Sequence, residues 1–334
     1  MPKLRVVVLY GGRSGEHEVS LVSARSVMDA LDQEKYEIIP IKIEQDGSWS
    51  GDLIIQGDPG RNPDFDVVFP VLHGPFGEDG TVQGLLELAN LPYVGGGVAS
   101  SAAAMDKAIM RALFAQAGLP LVPWEVVFTY EWDDAPKAIH SRLEERLGYP
   151  MFVKPANLGS SVGISKVKAP EELPQAMELA LQYDRKVVVE QGVLNAREIE
   201  CSVLGNNRPQ TSVLGEIVPA HDFYDYVAKY HNEKSRLIIP APLGAEQTKQ
   251  IQDYARRAFE AVDCAGLGRV DFLLDSKGKV FVNEINTLPG FTQISMYPKL
   301  WEHSGLPYGL LLDRLIELAL ERHGEKQKLR TSAF

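Results

Sequence analysis

Apolar residues follow two different rhythms along this chain, and the change between them divides it. Val6-Val7-Val8-Leu9-Tyr10 and Val67 to Leu72 are continuous apolar runs, the pattern of strands covered on both faces. A Gly11-Gly12 turn follows the first run. A helix is expected from near His17, with Val19, Val22, Val27 and Leu31 toward one face. A short helix at Thr81–Ala89 and a strand end at Pro92-Tyr93-Val94-Gly95 complete an open parallel α/β unit over residues 1–104. Ligands of such units bind beyond the carboxyl ends of the strands, where Glu16 and His73 lie.

Residues 105–189 read as a smaller α+β unit. It contains a helix from Asp106 to Ala117 stopped by Gly118 and Pro120, strands at 124–130, 151–154 and 186–191, and helices at 136–147 and 171–182. Over 190–334 the rhythm is mainly the alternation of antiparallel strands, at 197–204, 210–217, 268–275 and 279–285. Helices are expected at 245–262 and 308–322, and the basic tail after Leu320 reads as a frayed end. The stretch 219–236 is polar, aromatic-rich and aperiodic, which suits a functional lid better than a connector.

The sharpest chemistry lies in Gly268-Arg269-Val270-Asp271-Phe272 and Val282-Asn283-Glu284-Ile285-Asn286, two strands joined through Ser276-Lys277-Gly278. A loop from Asp275 to Gly278 would set Leu274 opposite Lys279, Asp271 opposite Val282 and Arg269 opposite Glu284. Alternation then projects Arg269, Asp271, Glu284 and Asn286 from one face. Two carboxylates and an amide oxygen are hard ligands suited to Mg2+ held together with phosphate. An arginine beside them can neutralise charge developing on a reacting group.

Composition narrows the partners. Hydrophobic residues make up 45% and charged residues 24% of the 334, as in ordinary globular proteins. The formal net charge of −11 argues against nucleic acid as the main partner. Cys201 and Cys264 sit in apolar contexts without metal-ligand spacing, so inert core thiols in a reducing cytoplasm are expected. The chain runs from Met1 into its first strand with no apolar leader, and no apolar run reaches membrane length.

Leu158-Gly159-Ser160-Ser161-Val162-Gly163 is either a flexible loop or a nest of N–H groups around phosphate. Lys154, ending an apolar strand just before it, favours phosphate, because a lysine placed there needs an anion. Lys107 at a helix start is either a second phosphate ligand or a solvated side chain. Glu190-Gln191-Gly192-Val193 has the look of a hinge whose main chain can meet a flat base, with Glu198 placed for ribose hydroxyls.

In order along the chain, these features resemble the ATP-grasp enzymes, which hold MgATP between two α+β lobes. Three segments narrow the resemblance to the D-alanine–D-alanine ligases: Gly11-Gly12-Arg13-Ser14-Gly15-Glu16-His17-Glu18-Val19-Ser20, Leu72-His73-Gly74-Pro75-Phe76-Gly77-Glu78-Asp79-Gly80, and Asn283 to Thr292. Phe223-Tyr224-Asp225-Tyr226 with Lys229-Tyr230 is similar too, and coverage runs from about residue 4 to residue 320. The resemblance implies an N-terminal α/β domain followed by two ATP-grasp lobes, and a cytoplasmic homodimer. It implies ligation of two D-alanines through an acyl phosphate, with ATP and two Mg2+ or Mn2+ ions. The metal ligands would be Asp271, Glu284 and Asn286, and Arg269 would hold the oxyanion. Lys107, Lys154, Ser160, Ser161, Glu190, Val193, Glu198, Lys229 and Phe272 would bind ATP. Glu16, linked to Ser160 and Tyr230, would hold the first ammonium; His73, Gly290, Ser295 and Met296 would complete the substrate sites. Alone, Glu16 also suits a helix-end carboxylate, and His73 a structural loop histidine. A D-alanine–D-lactate ligase or another carboxylate–amine ligase is the alternative, and Tyr230 weighs against the lactate type. A nucleotide sensor without turnover has no need of Arg269.

Overall fold

The computed structural model describes residues 2–159, 161–218 and 236–330, which form three sheets in succession. The first is parallel, in the order β2-β1-β3, from β1 (Leu4–Gly11), β2 (Tyr36–Ile43) and β3 (Val67–Val71). α1 (His17–Ala30) connects β1 to β2, and α2 (Thr81–Leu88) and α3 (Val98–Met105) follow β3. Val6 to Leu9 are wholly buried, as a continuous apolar run requires. Strand β2 does not stand out in the sequence because Pro40 interrupts it; proline is tolerated because β2 is an edge strand.

The buried side of α1 differs from the expected one. His17, Ser20, Ser23, Ala24 and Val27 are buried, whereas Val22 is 61% exposed. Ser20 fixes this rotation: its Oγ accepts from Gly11 N at 2.7 Å and donates to Val71 O. A polar residue won the inward position by hydrogen-bonding the ends of two strands.

α4 (Lys107–Gln116) leads into the second sheet, which contains β4 (Trp124–Phe128), β5 (Met151–Pro155), β6 (Ser165–Val167) and β7 (Lys186–Gln191) in the antiparallel order β4-β7-β5-β6. α5 (Thr129–Asp134), α6 (Pro136–Leu147) and α7 (Leu173–Leu181) lie between these strands in the chain. Val153, Val187 and Val189 pack with Leu143, Leu147, Leu173 and Met177 on one face. The opposite face carries Lys154, Lys186, Val188 and Glu190, and α4 lies against it through Ala108 and Val188.

The third sheet runs β10-β9-β8-β11-β12, all antiparallel: β8 (Arg197–Gly205), β9 (Gln210–Val218), β10 (Arg236–Ile238), β11 (Gly266–Leu274) and β12 (Val280–Asn286). α8 (Ala245–Ala261) covers one face, with Ile251, Ala255 and Phe259 on Ile199, Val270, Phe272 and Val282; Met110 and Phe114 of α4 enter the same core. α9 (Met296–His303) and α10 (Tyr308–Lys326) close the chain. Packing therefore crosses the expected divisions at 104/105 and 189/190. α4 bridges the second and third cores, β7 runs to Gln191, and α10 returns to the first sheet, setting Leu311, Leu312, Leu315 and Ile316 against Val6, Val8 and Phe69.

After Leu320 the chain stays helical as far as Lys326 rather than fraying there. Arg322 donates to Gly95 O at 2.5 Å and Tyr93 O at 3.1 Å, and Lys326 pairs with Glu87. Among the described residues no helix is long and apolar enough to cross a membrane.

Both cysteines are buried, and burial pushes each thiol up to about 12. The thiolate is the reactive form. The native protein should therefore resist alkylation by iodoacetamide at pH 8 and take up label at both positions once unfolded. Rapid native labelling, read by intact mass, would contradict this burial.

Candidate active site

β11 and β12 bring the charged set together, in a different register from the expected one. Arg269 faces Asn286, Asp271 faces Glu284, and Leu274 faces Val280. Two one-residue shifts produce the change. Asp275 Oδ1 accepts from Lys277 N and Lys279 N, each at 2.8 Å, which lengthens the turn through Lys279. An irregularity at Asp271/Phe272 then leaves Asn283 as an extra residue on β12. The shifts sum to two, so all four side chains keep the shared face.

Arg269 binds Asp271 through two parallel hydrogen bonds of 2.7 Å and lies 3.1 Å from Glu200 on the neighbouring β8. Asn286 Nδ2 donates to Asp271 Oδ2 at 3.0 Å. Burial opposes the arginine's charge, but Asp271 and Glu200 outweigh it and raise its pKa well above the ordinary value. Among the described residues no group of three His, Cys, Asp or Glu side chains gathers around a metal-sized space. Asp271, Glu284 and Asn286 nonetheless fit a hard cation that takes its remaining ligands from phosphate and water. Asp271 Oδ1 accepts only from Arg269 Nε among the described residues and keeps a second lone pair, whereas Oδ2 already accepts from both Arg269 Nη2 and Asn286 Nδ2.

Phe272, expected at the nucleotide, is not there. Alternation turns it to the opposite face of β11, where it is 1% exposed in the core under α8. The half-buried Leu273 takes the cleft side opposite Glu198, because residues directly opposed on adjacent strands share a face. Glu200 and Leu273 are site residues that sequence reasoning missed; their place in the alternation with Glu198 and Asp271 was the available signal.

The second sheet supplies cations. Lys107 is 7% exposed, which excludes the solvated alternative, and its Nζ donates to Leu158 O at 2.5 Å. Asp106 caps α4 by accepting from Ala108 N and Ile109 N. Lys154 Nζ donates to Glu190 Oε2 at 2.8 Å. The side chain of Glu190 is thus committed to cations, and its main chain is flanked by Trp124 and Phe152 in the sheet, which leaves the backbone just beyond β7, at Val193, for a base. Burial would raise the Glu190 pKa, but Arg111 and then Lys154 hold it low; the charge of Glu284 reaches it as well. Ser161 adopts φ +60°, and Val193 is half-buried just beyond β7, where Gly192 N donates to Pro150 O at 2.8 Å.

The first sheet closes the circle. Glu16 precedes α1 and its N–H donates to Ser14 Oγ at 3.1 Å. A Cβ placed on Gly74 would fall 2.6 Å from Glu16 Oε2, and one on Gly159 3.3 Å from it. Two glycines thus leave room for that carboxylate where the loop at Gly159 approaches. His73 is buried, its Nε2 3.1 Å from Ser23 Oγ and its Nδ1 3.4 Å from Glu78. Burial opposes its protonation, but the pairing with Glu78 outweighs it and raises its pKa.

His73 also meets the main chain of Leu288, just after the metal-type strand. Beyond it Ser295 precedes α9, its Oγ accepting from Thr292 N at 3.1 Å and lying 2.8 Å from Thr292 Oγ1 and 3.3 Å from where a Gly290 Cβ would lie. The Met296 side chain packs with Ile217 and Leu300, so only its main chain, in the first turn of α9, is left for a substrate. Ser160, Lys229 and Tyr230 lie outside the described residues.

The family model described as D-ala D-ala ligase N-terminus matches residues 5–58 and 54–96, and that described as D-ala D-ala ligase C-terminus matches 113–317. A D-alanine--D-alanine ligase of Heliobacterium modesticaldum is 53% identical over 98% of both chains. Among solved structures, the D-alanine-D-alanine ligase of Coxiella burnetii is similar with a TM-score of 0.87 at 41% identity, covering 98% of this chain and 96% of that one. The VanG D-Ala:D-Ser ligase of Enterococcus faecalis is similar with a TM-score of 0.86 at 36% identity, covering 95% of this chain and 100% of that one. A match over nearly the whole length joins a site in which three sheets bring together two lysines, opposed carboxylates and a held arginine: the chain belongs to the D-alanine–D-alanine ligase family.

Proposed function

We propose that this ligase joins two D-alanines into D-alanyl-D-alanine at the expense of ATP, supplying a precursor of peptidoglycan. The carboxylate of the first D-alanine takes the γ-phosphoryl group of ATP, giving an acyl phosphate and ADP. The amine of the second then attacks the acyl carbon, and the tetrahedral intermediate collapses with loss of phosphate and a proton. The observation that carries this reading is the single face formed by Arg269, Asp271, Glu284 and Asn286 across β11 and β12.

Lys107 and Lys154 neutralise phosphate oxygens, beside the loop holding Ser160 and Ser161. Arg269 stabilises the oxyanion of the tetrahedral intermediate, since its guanidinium is already held in place by Asp271 and Glu200 and needs little reorganisation. Bound Mg2+ or Mn2+, two ions in our reading, would be held by Asp271, Glu284 and Asn286 and would screen the charge of the phosphates. Glu16 pairs with the ammonium of the first D-alanine in a pocket bordered by His73. Gly290, Ser295 and the Met296 main chain receive the carboxylate of the second. Glu198 and the main chain around Glu190 and Val193 hold ribose and base, and closure of Lys229 and Tyr230 over the site excludes water. We place the enzyme in the cytoplasm as a homodimer, a state that light scattering checks.

The likeness to a D-Ala:D-Ser ligase makes the second substrate worth testing, although the 53% identical relative bears the dipeptide ligase name. Phosphate release from MgATP should require D-alanine, and L-alanine should not replace it. Product analysis with D-alanine alone, and with D-serine or D-lactate added, should give D-alanyl-D-alanine as the main product. A main product with D-serine or D-lactate at its second position would overturn the assignment.

A further inference from the structure

Arg111 is a charged side chain to which the reaction above gives no task. It lies one turn beyond Lys107 on α4 and is 1% exposed. Its Nη2 is 2.7 Å from Glu190 Oε1, while Glu190 Oε2 takes the hydrogen bond from Lys154. Its Nε and Nη1 have no hydrogen-bond partner among the described residues. A buried guanidinium with unmet donors is costly, and an apolar side chain of similar size fills such a place with less penalty. Fastening α4 to β7 does not explain the charge, because Lys186 and Asp106 already form an ion pair between the same two elements.

The charges explain it. Lys154 and Glu190 alone would make a neutral pair, and a lysine neutralised in this way attracts phosphate weakly. Glu190 is still needed for position: it faces Phe152 across β5 and β7, on the side of the sheet that carries Lys154, and fixes the lysine's direction. With Arg111 on its other oxygen, one carboxylate is shared between two cations and the trio keeps one net positive charge.

We propose that Arg111 is a positioning residue that takes up the charge of Glu190, so that Lys154 stays fixed by the carboxylate yet remains electrostatically available to the polyphosphate of a nucleoside triphosphate. The inference rests on the ATP reading above. It acts through Glu190 and Lys154, without contact between Arg111 and the nucleotide.

The test is titration calorimetry with MgATP, alongside steady-state kinetics, on wild type, Arg111→Lys, Arg111→Met and the double variant Arg111→Met/Glu190→Gln. Arg111→Met should weaken MgATP binding and raise the ATP KM about tenfold or more, while the D-alanine KM stays within about twofold. Arg111→Lys should recover binding to within about threefold of wild type, because a cation again faces Glu190. The double variant should also bind more tightly than Arg111→Met, since removing the carboxylate charge frees Lys154 again. A role in packing alone predicts no such recovery. Arg111→Met binding like wild type, or a double variant no tighter than the single one, overturns the proposal. Should Arg111→Met fail to fold, Arg111→Lys must bind within about threefold of wild type. The double variant, whose Lys154 is freed but no longer directed by Glu190, must then bind MgATP measurably but more weakly than Arg111→Lys; failure of either overturns the proposal. A wild type that binds no MgATP sinks the ATP reading as well; a binding wild type with an equally binding Arg111→Met sinks this inference alone.

Discussion

Asp271→Asn should fold normally and turn over more slowly by a factor on the order of a hundred or more. The substitution removes one of two opposed carboxylates from the face proposed to meet the phosphates. It also breaks the bidentate pairing of Arg269, whose charge is then met by Glu200 at 3.1 Å. Folding is spared because the strand's packing comes from its other side, where Phe272 and Leu274 are buried under α8. Phosphate release with D-alanine measures the loss, and circular dichroism with the melting temperature checks the fold. The Mg2+ concentration needed for half-maximal rate should rise as well. A near-wild-type rate, or a rate loss matched by unfolding, would sink the assignment.

Gly74→Ala should damage the first amino acid site while leaving nucleotide binding intact. Gly74 has φ +76°, a conformation that costs an alanine about 1–2 kcal/mol. Its new methyl would also lie 2.6 Å from Glu16 Oε2. The carboxylate has little room to retreat, since Gly159 already approaches it from the loop after β5. The D-alanine KM should therefore rise about tenfold or more, as expected when a charge-assisted contact is displaced. The ATP KM should hardly change. An unaltered D-alanine KM in a folded variant would remove Glu16 from the substrate site.

The elements that carry chemistry were legible where alternation or a continuous apolar run was unbroken, as in β1, β7 and β11. Faces were more legible than partners. Strand alternation gave the shared side of Arg269, Asp271, Glu284 and Asn286, but turn length and the extra residue Asn283 set which side chains oppose. The misplacement of Phe272 goes against that same alternation, which puts it one residue from Asp271 and therefore on the other side. Strand β2 was hidden by Pro40, and the inner face of α1 by serines whose burial depends on hydrogen bonds to distant strands. Arg111 and Glu200 look in the sequence like solvated charges of a helix and a strand. Only packing against Glu190 and Arg269 distinguishes them.

The return of α10 to the first sheet has a consequence for synthesis. Chains are made from the amino end, and domains usually fold as they emerge. Here the apolar side of β1 and β3 that carries Val6, Val8 and Phe69 waits for Leu311, Leu312, Leu315 and Ile316. Until nearly the whole chain has left the ribosome, that side is open to other apolar surfaces, including those of neighbouring nascent chains. The second and third sheets are specified in between, so the first sheet is among the first parts translated and the last to be sealed. A message truncated before α10 would yield a product whose second and third sheets have their own cores but whose first sheet stays sticky, a substrate for chaperones and proteases rather than a smaller enzyme.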